Sequence, residues 1–146
     1  MVKIGYTTGV FDLFHIGHLN ILRNAKLECD YLIVGVTTDE LAISGKGKKP
    51  IIPFLERMAI VESLKYVDSV VPQTSYHKLE AWNNLKFNIM FVGDDWKGTD
   101  TWNKLEKDFS RLGVTIQFLP YTNHTSSTKL REIVDYLYNE HNKIEK

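Results

Sequence analysis

Short runs of β-branched and other apolar residues alternate along the chain with segments whose apolar residues recur at helical spacing. The run at residues 32–37, Leu-Ile-Val-Gly-Val-Thr, is almost continuously apolar, which is typical of a strand buried on both faces. Similar runs occur before and after it. The pattern therefore predicts five strands, at residues 4–8, 32–37, 67–71, 89–92 and 114–119.

Helical stripes occupy the segments between these runs, with apolar members three or four residues apart. Pro53 precedes a further helical segment at residues 55–65, and proline is favoured at helix starts. The stripes consist of His18, Ile21, Leu22 and Ala25 in the first helix, Trp102, Leu105, Phe109 and Leu112 in a later one, and Leu130, Ile133, Val134 and Leu137 in the last.

This alternation predicts one α/β domain over residues 1–146, a Rossmann-like five-stranded parallel sheet with helices on both faces. Ligands of such sheets bind beyond the carboxyl ends of the strands, where the strand order reverses. The candidate chemistry should therefore lie in the loops that follow the strands, at residues 9–17, 38–50, 72–76, 93–99 and 120–127.

The composition narrows the class of protein. Lys and Arg number 18, as do Asp and Glu, so the net charge is zero, which argues against a nucleic-acid binder or a polybasic membrane anchor. No apolar run approaches the roughly 20 residues that span a bilayer, and the polar N-terminus does not read as a signal peptide. The single Cys29 permits neither an intrachain disulfide nor a cysteine-based zinc site. We expect a cytoplasmic protein.

The loop after the first strand, GVFDLFHIGH at residues 9–18, carries two histidines at the start of a predicted helix. It is neither a G-x-G-x-x-G turn nor a P-loop. A helix N-terminus favours phosphate, Gly17 permits close approach, and imidazoles can donate hydrogen bonds to a phosphoryl oxygen. Alternatively, His15 and His18 are capping or surface residues. A metal site is a further alternative, but two histidines are too few ligands and Asp12 would have to turn inward.

This loop resembles the G-x-F-D-x-x-H-x-G-H signature of the nucleotidylyltransferase superfamily. The superfamily shares its HxGH motif with class I aminoacyl-tRNA synthetases, which are several times longer than this chain. The segment KYVD at residues 65–68 resembles the R-Y-V-D-E-V element of the glycerol-3-phosphate cytidylyltransferase family, with Lys65 where that family usually has Arg. The segment GDDWKG at residues 93–98 resembles the family's G-D-D-W-x-G loop. The resemblance covers about residues 3–131.

Two further loops carry charge that suits a nucleotide. The loop GKGKKP at residues 45–50 is either a solvated turn or a lid that neutralises a triphosphate. Arg57 either faces the phosphates or is an exposed helix residue. A carboxylate of Asp94 or Asp95 can accept a hydrogen bond from the N4 amine of cytosine, although the pair also fits a capped turn or a Mg²⁺ contact.

The last loop, YTNHTSSTKLR at residues 121–131, opens a helix with hydroxyl residues that form at least an N-cap and also offer a second phosphate seat. It departs from the cytidylyltransferase pattern R-T-x-G-I-S-T-T, because Tyr121 replaces the Arg and His124 replaces the Gly. Tyr121 could stack on the base, and Arg131 could supply the missing charge. The end of the segment also resembles the S-S-T-x-x-R of some adenylyltransferases.

The resemblance implies transfer of CMP from CTP to a small phosphorylated alcohol, and glycerol 3-phosphate is the expected acceptor. It also implies Mg²⁺ carried by the triphosphate, and no protein residue is assigned as a metal ligand. The acceptor phosphate would attack the α-phosphorus in line. The implied catalytic residues are His15, His18 and Lys46. The implied nucleotide-binding residues are Gly9, Val10, Phe11, Gly17, Lys48, Arg57, Asp94, Asp95, Tyr121, Thr122, Ser126, Ser127, Thr128 and Arg131. The implied acceptor-binding residues are Asp12, Lys46, Lys65, Tyr76 and Lys78.

Other functions remain open on the sequence alone. One is an adenylyltransferase that acts on a phosphorylated small molecule. Others are a cytidylyltransferase for phosphoethanolamine, phosphocholine or another phosphate or phosphonate, and a nucleotide-binding regulatory module without turnover. The resemblance also implies a homodimer, and no nucleic-acid or membrane partner is expected.

Overall fold

Five parallel strands form one sheet in the order β3-β2-β1-β4-β5. The computed structural model describes residues 2–120 and 126–145. The strands are β1 (Ile4–Gly9), β2 (Tyr31–Thr37), β3 (Ser69–Gln73), β4 (Ile89–Gly93) and β5 (Thr115–Leu119). The helices are α1 (Ile16–Leu27), α2 (Asp39–Lys46), α3 (Phe54–Glu62), α4 (Lys78–Leu85), α5 (Asp100–Ser110) and α6 (Ser127–Glu145).

The order of the strands reverses between β1 and β4. The chain builds β1, β2 and β3 outward in one direction and then crosses to the other side of β1. The carboxyl ends of β1 and β4 therefore flank the crevice in which ligands of such sheets bind. The predicted α/β fold with a five-stranded parallel sheet is confirmed.

Helices cover both faces of this sheet, as the apolar run of β2 predicts. Leu22 and Val61 pack on one face, and Phe87 and Phe109 pack on the other, all nearly inaccessible to solvent. Burial of such a side chain contributes about 1.5–3 kcal/mol each. The two apolar layers fix the sheet rigidly beneath the loops at its carboxyl edge.

Helix α2 lies within the segment that sequence analysis treats as a loop, so that prediction was wrong. The Thr38 side chain accepts a hydrogen bond from the backbone of Leu41 and caps the helix at its start. Gly47, at a φ of 73°, ends it in the left-handed conformation. The helix has only eight residues and one buried side chain, Ala42, so it leaves almost no periodic apolar pattern.

Strand β3 begins two residues later than the sequence predicts because Asp68 holds the preceding turn. Its carboxylate accepts hydrogen bonds from the backbone of Leu32 at 2.7 Å and from Lys26. This anchor lies at the amino end of β3, on the edge of the sheet opposite the crevice.

The last helix, α6, presents much of its apolar stripe to solvent. Ile133, Val134 and Leu137 are all exposed. Its first turns carry Ser127 and Arg131, which contact the loop after β1. None of the helices that the structure describes is long and apolar enough to cross a membrane.

Candidate active site

The loop between β1 and α1 folds back sharply under the two histidines. Phe11 and Leu13 adopt positive φ angles of 55° and 49°, which are rare for residues with side chains. The Phe11 ring enters the core, where a Cβ on Gly9 would come within 3.0 Å of it. The turn therefore explains why residue 9 is a glycine, and it places His15 and His18 at the carboxyl edge of β1.

The two histidines close a reciprocal cap on α1. The Gly17 N–H donates to Nδ1 of His15 at 3.0 Å, and the His15 N–H donates to Nδ1 of His18 at 3.2 Å. An Nδ1 atom that accepts a hydrogen bond carries no proton, so each neutral ring bears its proton on Nε2. The capping alternative and the phosphate-binding hypothesis are thus compatible, because the cap fixes the tautomer whose Nε2–H can donate a hydrogen bond to a phosphate.

Both rings are held neutral near pH 7. Burial, together with the neighbouring His15 and Lys46, lowers the pKa of His18 to about 4 against the opposing effect of Asp12. Burial also lowers the pKa of His15. The ring centroids lie 4.0 Å apart, so a double positive charge would be strongly unfavourable. The pair can therefore donate hydrogen bonds from two neutral imidazoles.

This lowered pKa predicts a pH-dependent stability. The pKa of His18 rises from about 4 in the folded protein to about 6.5 in the unfolded chain, so the unfolded chain binds more protons between these values. The stabilisation is fully present above pH 6.5 and is lost as the pH falls towards 4. Between pH 7.5 and pH 5 the loss is about 2 kcal/mol of unfolding free energy. Urea unfolding at both pH values measures it.

His18→Asn is the control for this prediction. The asparagine oxygen occupies the place of Nδ1 and retains the cap, but the side chain does not titrate. The variant should lose about 2 kcal/mol less than the wild type between the two pH values. Equal losses in the two proteins would show that His18 does not carry the effect.

A cavity of about 410 Å³ opens beside the histidines, between the loop after β1, residues 46–52 (the lysine segment, which starts at the last residue of α2) and the first turns of α6. It brings together many residues that the sequence singles out. They are Gly9, Val10, Phe11, Asp12, His18, Lys46, Lys48, Ser127, Thr128 and Arg131. Positive side chains thus lie on two sides of a cavity whose third side is the histidine-capped helix start.

Helix α6 is joined to the histidine loop by its first turn. Ser127 Oγ donates to the backbone oxygen of Asp12 at 2.6 Å and lies 3.4 Å from Nε2 of His18. Ser126 Oγ accepts from the backbone of Lys129 at 3.0 Å, which makes it the predicted N-cap. Nε of Arg131 is buried without a hydrogen-bond partner among the described residues, and its guanidinium stays 4.0 Å from the carboxylates of Asp12 and Asp135.

Asp12 anchors the lysine segment, and its predicted role in binding the acceptor stays a prediction. Its two carboxylate oxygens accept hydrogen bonds from the backbone of Ile51 and Ile52, each at 2.9 Å. The side chain is buried, with both oxygens committed to the chain's own backbone. Asp12 therefore holds the end of the segment that carries Lys46 and Lys48.

Arg57 is neither a phosphate ligand nor an exposed helix residue, and both sequence interpretations were wrong. Its side chain is fully buried on α3. The guanidinium donates to the backbone oxygens of Val10 and Thr37, each at 2.7 Å, and of Ile52 at 2.9 Å. It also pairs with Asp39 at 2.6 Å. Arg57 therefore joins the loop after β1, the end of β2, the start of α2 and the lysine segment.

The predicted acceptor residues separate into two groups. Lys65 precedes β3 at the amino edge of the sheet, where its ammonium lies over the Tyr66 ring, and this position does not favour its predicted contact with the acceptor. The Tyr76 hydroxyl donates to the backbone oxygen of Leu41 and so braces α2. Its predicted contact with the acceptor is not tested by this geometry.

Lys78 lies at the carboxyl edge, at the start of α4. Its Nζ is 3.5 Å from Oγ1 of Thr8, and no carboxylate pairs with it within residues 2–120 and 126–145. Burial lowers the pKa of this lysine to about 8. A buried lysine without an anionic partner is suited to receive one from a ligand. Thr8, which lines up with it at the end of β1, was not singled out by the sequence.

The remaining predicted residues do not line the cavity or lie outside the described part of the chain. Asp94 and Asp95 form a short 3₁₀ turn after β4, and the Asp95 carboxylate folds over Gly93, where a Cβ would lie 2.7 Å from Oδ1. The N–H of Gly17 already donates to Nδ1 of His15. Tyr121, Thr122 and His124 lie outside the described residues. Glu132 and Asp135 line the cavity but were missed, although Asp135 follows Arg131 by one helical turn.

Comparisons of this sequence with known proteins agree on one family. Residues 6–133 match the family model described as cytidylyltransferase-like. The chain is 35% identical over 127 residues to glycerol-3-phosphate cytidylyltransferase of Bacillus subtilis (strain 168), covering 86% of this chain and 92% of that one. It is 33% identical to the enzyme of the same name from Staphylococcus aureus (strain NCTC 8325 / PS 47), covering 86% and 90%.

Solved structures agree with this fold. The lipopolysaccharide core biosynthesis protein from Thermoplasma volcanium GSS1 superposes with a TM-score of 0.70 and 28% identity, covering 86% of this chain and all of that one. Pantoate-beta-alanine ligase from Francisella tularensis, at 16% identity, a TM-score of 0.60 and coverage of 94% and 70%, is similar in fold alone.

Proposed function

The chain belongs to the cytidylyltransferase-like family, and from this premise we propose that it transfers CMP from CTP to glycerol 3-phosphate, giving CDP-glycerol and pyrophosphate. The observation that carries the proposal is the histidine pair, whose Nδ1 atoms accept backbone hydrogen bonds beside a cavity lined by Lys46, Lys48 and the start of α6. The names of the relatives supply the identity of the acceptor.

The reaction needs charge stabilisation more than a base. An oxygen of the acceptor phosphate forms a bond to the α-phosphorus of CTP, and the bond from that phosphorus to the bridging oxygen of pyrophosphate breaks. The attacking oxygen is already an anion at pH 7, and no proton has to be removed. We assign the Nε2–H groups of His15 and His18 to the oxygens on which negative charge grows. Two fixed donors in a partly buried site stabilise that charge without reorganisation.

The positive groups of the cavity complement the triphosphate. Lys46 would contact the α-phosphate or the acceptor phosphate, and Lys48 the β- and γ-phosphates. Ser127, Thr128 and the free N–H groups at the start of α6 provide a second phosphate seat. Among the described residues Arg131 makes only loose ion pairs at 4.0 Å, so it can turn towards the leaving pyrophosphate without breaking a short hydrogen bond to them.

Mg²⁺ fits this arrangement as a companion of the triphosphate. Within the part of the chain that the structure describes, no three His, Cys, Asp or Glu side chains form a metal cage. Mg²⁺ commonly keeps most of its waters and is held by substrate phosphates with one or two carboxylates. Glu132 and Asp135 line the cavity and would hold its water shell. When bound, the ion would neutralise charge on the phosphates.

The acceptor phosphate is assigned to Lys78 and Lys46. We expect Lys78→Met to raise the KM for glycerol 3-phosphate by roughly tenfold or more, because a buried ammonium that pairs with phosphate contributes at least about 1.4 kcal/mol. The KM for CTP should change less than about threefold. Steady-state kinetics with each substrate varied in turn measures both values.

Lys65→Met is the matched control, because Lys65 lies at the opposite edge of the sheet. It should leave both KM values unchanged. A parallel rise of the two KM values in Lys78→Met would place Lys78 at the nucleotide instead of the acceptor.

Pyrophosphate release tests the function itself. We would cross CTP, ATP, GTP and UTP with glycerol 3-phosphate, phosphoethanolamine and phosphocholine in the presence of Mg²⁺. Release that requires both CTP and glycerol 3-phosphate supports the proposal. Release with ATP would favour the adenylyltransferase alternative, and release with CTP and another acceptor would replace the substrate but retain the reaction. Nucleotide binding without release in any combination would favour the regulatory module.

The homodimer and the cytoplasmic location that sequence analysis expects stay predictions. The exposed stripe of Ile133, Val134 and Leu137 on α6 is compatible with an interface.

A further inference from the structure

A second cavity, of about 210 Å³, lies between α4 and the sheet, beneath its carboxyl edge. Its walls include Tyr6 of β1, Val71 of β3 and Ala81 of α4. Gly35 of β2 has no side chain on this face, where its register partners are Thr8 of β1 and Val71 of β3. Ala81 presents only a methyl group from α4. The space is therefore built into the packing of the sheet against the helix.

The Tyr6 hydroxyl occupies the notch above Gly35. The Tyr6 side chain is almost completely buried, and its ring stacks on Phe87 with centroids 4.8 Å apart. A Cβ on Gly35 would lie 2.7 Å from the hydroxyl oxygen. No residue that the structure describes hydrogen-bonds to this hydroxyl, and Tyr6 lines the cavity. Burial raises the pKa of Tyr6 to about 12, so the hydroxyl remains a donor at neutral pH.

Gln73 places a second polar group in the same wall. It is buried, and its Oε1 accepts from Oγ1 of Thr37 at 2.6 Å. Its amide N–H groups have no partner among the described residues. Neither atom is buried away from solvent, so the Tyr6 hydroxyl and the Gln73 amide are both open to the cavity and available to hydrogen-bond with a group that occupies it.

The rim defines the chemistry of the ligand. It carries Ser75, Glu80 and Asn84, whose oxygens can accept hydrogen bonds, and no lysine or arginine. A phosphate would therefore find no strong cation here. A volume of 210 Å³ is below the range of about 300–1,000 Å³ typical of drug-sized ligands, so a nucleotide does not fit. A short chain of hydroxylated carbons matches both the size and the mixture of donors and acceptors.

We propose that this second cavity binds a neutral polyhydroxylated group of about three to five carbons. Two sources share this chemistry. One is the hydroxylated end of the acceptor, an alternative that depends on the proposed function. Lys78 follows His77 of the rim, and its Nζ lies 3.5 Å from Oγ1 of Thr8, two residues from Tyr6 on the same strand, so a phosphate at Lys78 would lie beside the cavity. The other source is a separate small polyol.

Tyr6→Phe tests the proposal because it removes the hydroxyl and keeps the ring that stacks on Phe87. Tyr31→Phe, at the opposite edge of the sheet, is the matched control. The first arm titrates free ribitol and free glycerol into ¹⁵N-labelled protein and follows the amides of Gln73 and Ala81. The second arm compares kcat/KM for glycerol 3-phosphate and ribitol 5-phosphate with CTP. Gly35→Ala, which narrows the notch, provides a second variant for both arms.

A separate polyol predicts ribitol-dependent shifts at Gln73 and Ala81, with a dissociation constant raised roughly three- to tenfold by Tyr6→Phe. An acceptor tail predicts that Tyr6→Phe lowers kcat/KM by a similar factor for one or both acceptors, whether or not free ribitol binds. No polyol shifts, together with kcat/KM values that match those of Tyr31→Phe for every acceptor, would overturn the proposal. The titration needs no turnover, so failure of the proposed reaction is recognised separately, by the absence of pyrophosphate release.

Discussion

His18→Asn is expected to lower kcat by about 10²- to 10³-fold while the KM for CTP changes less than about threefold. The asparagine oxygen replaces Nδ1 and can still accept from the N–H of His15, so the start of α1 remains capped. The Nε2–H donor is lost. Because that donor acts on charge that develops only during transfer, the loss should affect turnover and spare ground-state binding. Steady-state pyrophosphate release and equilibrium CTP binding measure the two effects.

His18→Gln is the complementary variant, since its terminal amide restores a donor near Nε2 and gives up the acceptor at Nδ1. It should be more active than His18→Asn and less stable to urea. His141→Asn, an exposed histidine on α6, controls for a general effect of removing an imidazole. If His18→Asn were as active as the wild type and His18→Gln were inactive, His18 would serve as a cap alone. A parallel fall of CTP affinity and kcat would show ground-state binding instead.

The parts of this protein that were predictable from sequence are those that depend on local pattern. The apolar run of β2 reveals a strand covered on both faces, and the observed Tyr31–Thr37 confirms it. The histidines and Ser126 stand beside the helix starts they cap, so a short segment contains both partners of each contact. The capping box of α1 could have been read from the spacing of His15 and His18, which is that of an N-cap and N3 residue.

The residues that were mispredicted depend on contacts between distant segments. Arg57 on α3 reads as a surface residue, because its partners Val10 and Thr37 lie far from it in sequence. Lys65 lies in a segment that resembles a family element, but only the sheet topology shows that this segment lies at the edge away from the crevice. The Tyr6 hydroxyl lies where one strand passes a glycine of the next, and no local pattern predicts this position.

Arg57→Met is expected to lower the free energy of unfolding by about 3–5 kcal/mol and to abolish measurable activity. The methionine fills part of the space but leaves Asp39 without its partner and three backbone oxygens without donors. Those oxygens belong to the loop after β1, the end of β2 and the lysine segment, so the cavity should lose its shape as well. Urea unfolding at pH 7.5 and pyrophosphate release at a temperature where the variant is folded measure the two effects.

Controls separate this structural role from phosphate binding. Arg111→Met, which removes an exposed arginine after α5, should cost less than about 0.5 kcal/mol. Arg57→Lys should recover little stability, because one ammonium cannot reproduce a planar group that donates to four partners. Asp39→Asn combined with Arg57→Met should destabilise by less than the sum of the two single changes, since Asp39 has already lost its partner. If Arg57 contacted the phosphates directly, Arg57→Met would instead have a normal unfolding free energy and a weakened affinity for CTP. That result would restore the interpretation of Arg57 as a phosphate ligand, which its buried guanidinium contradicts.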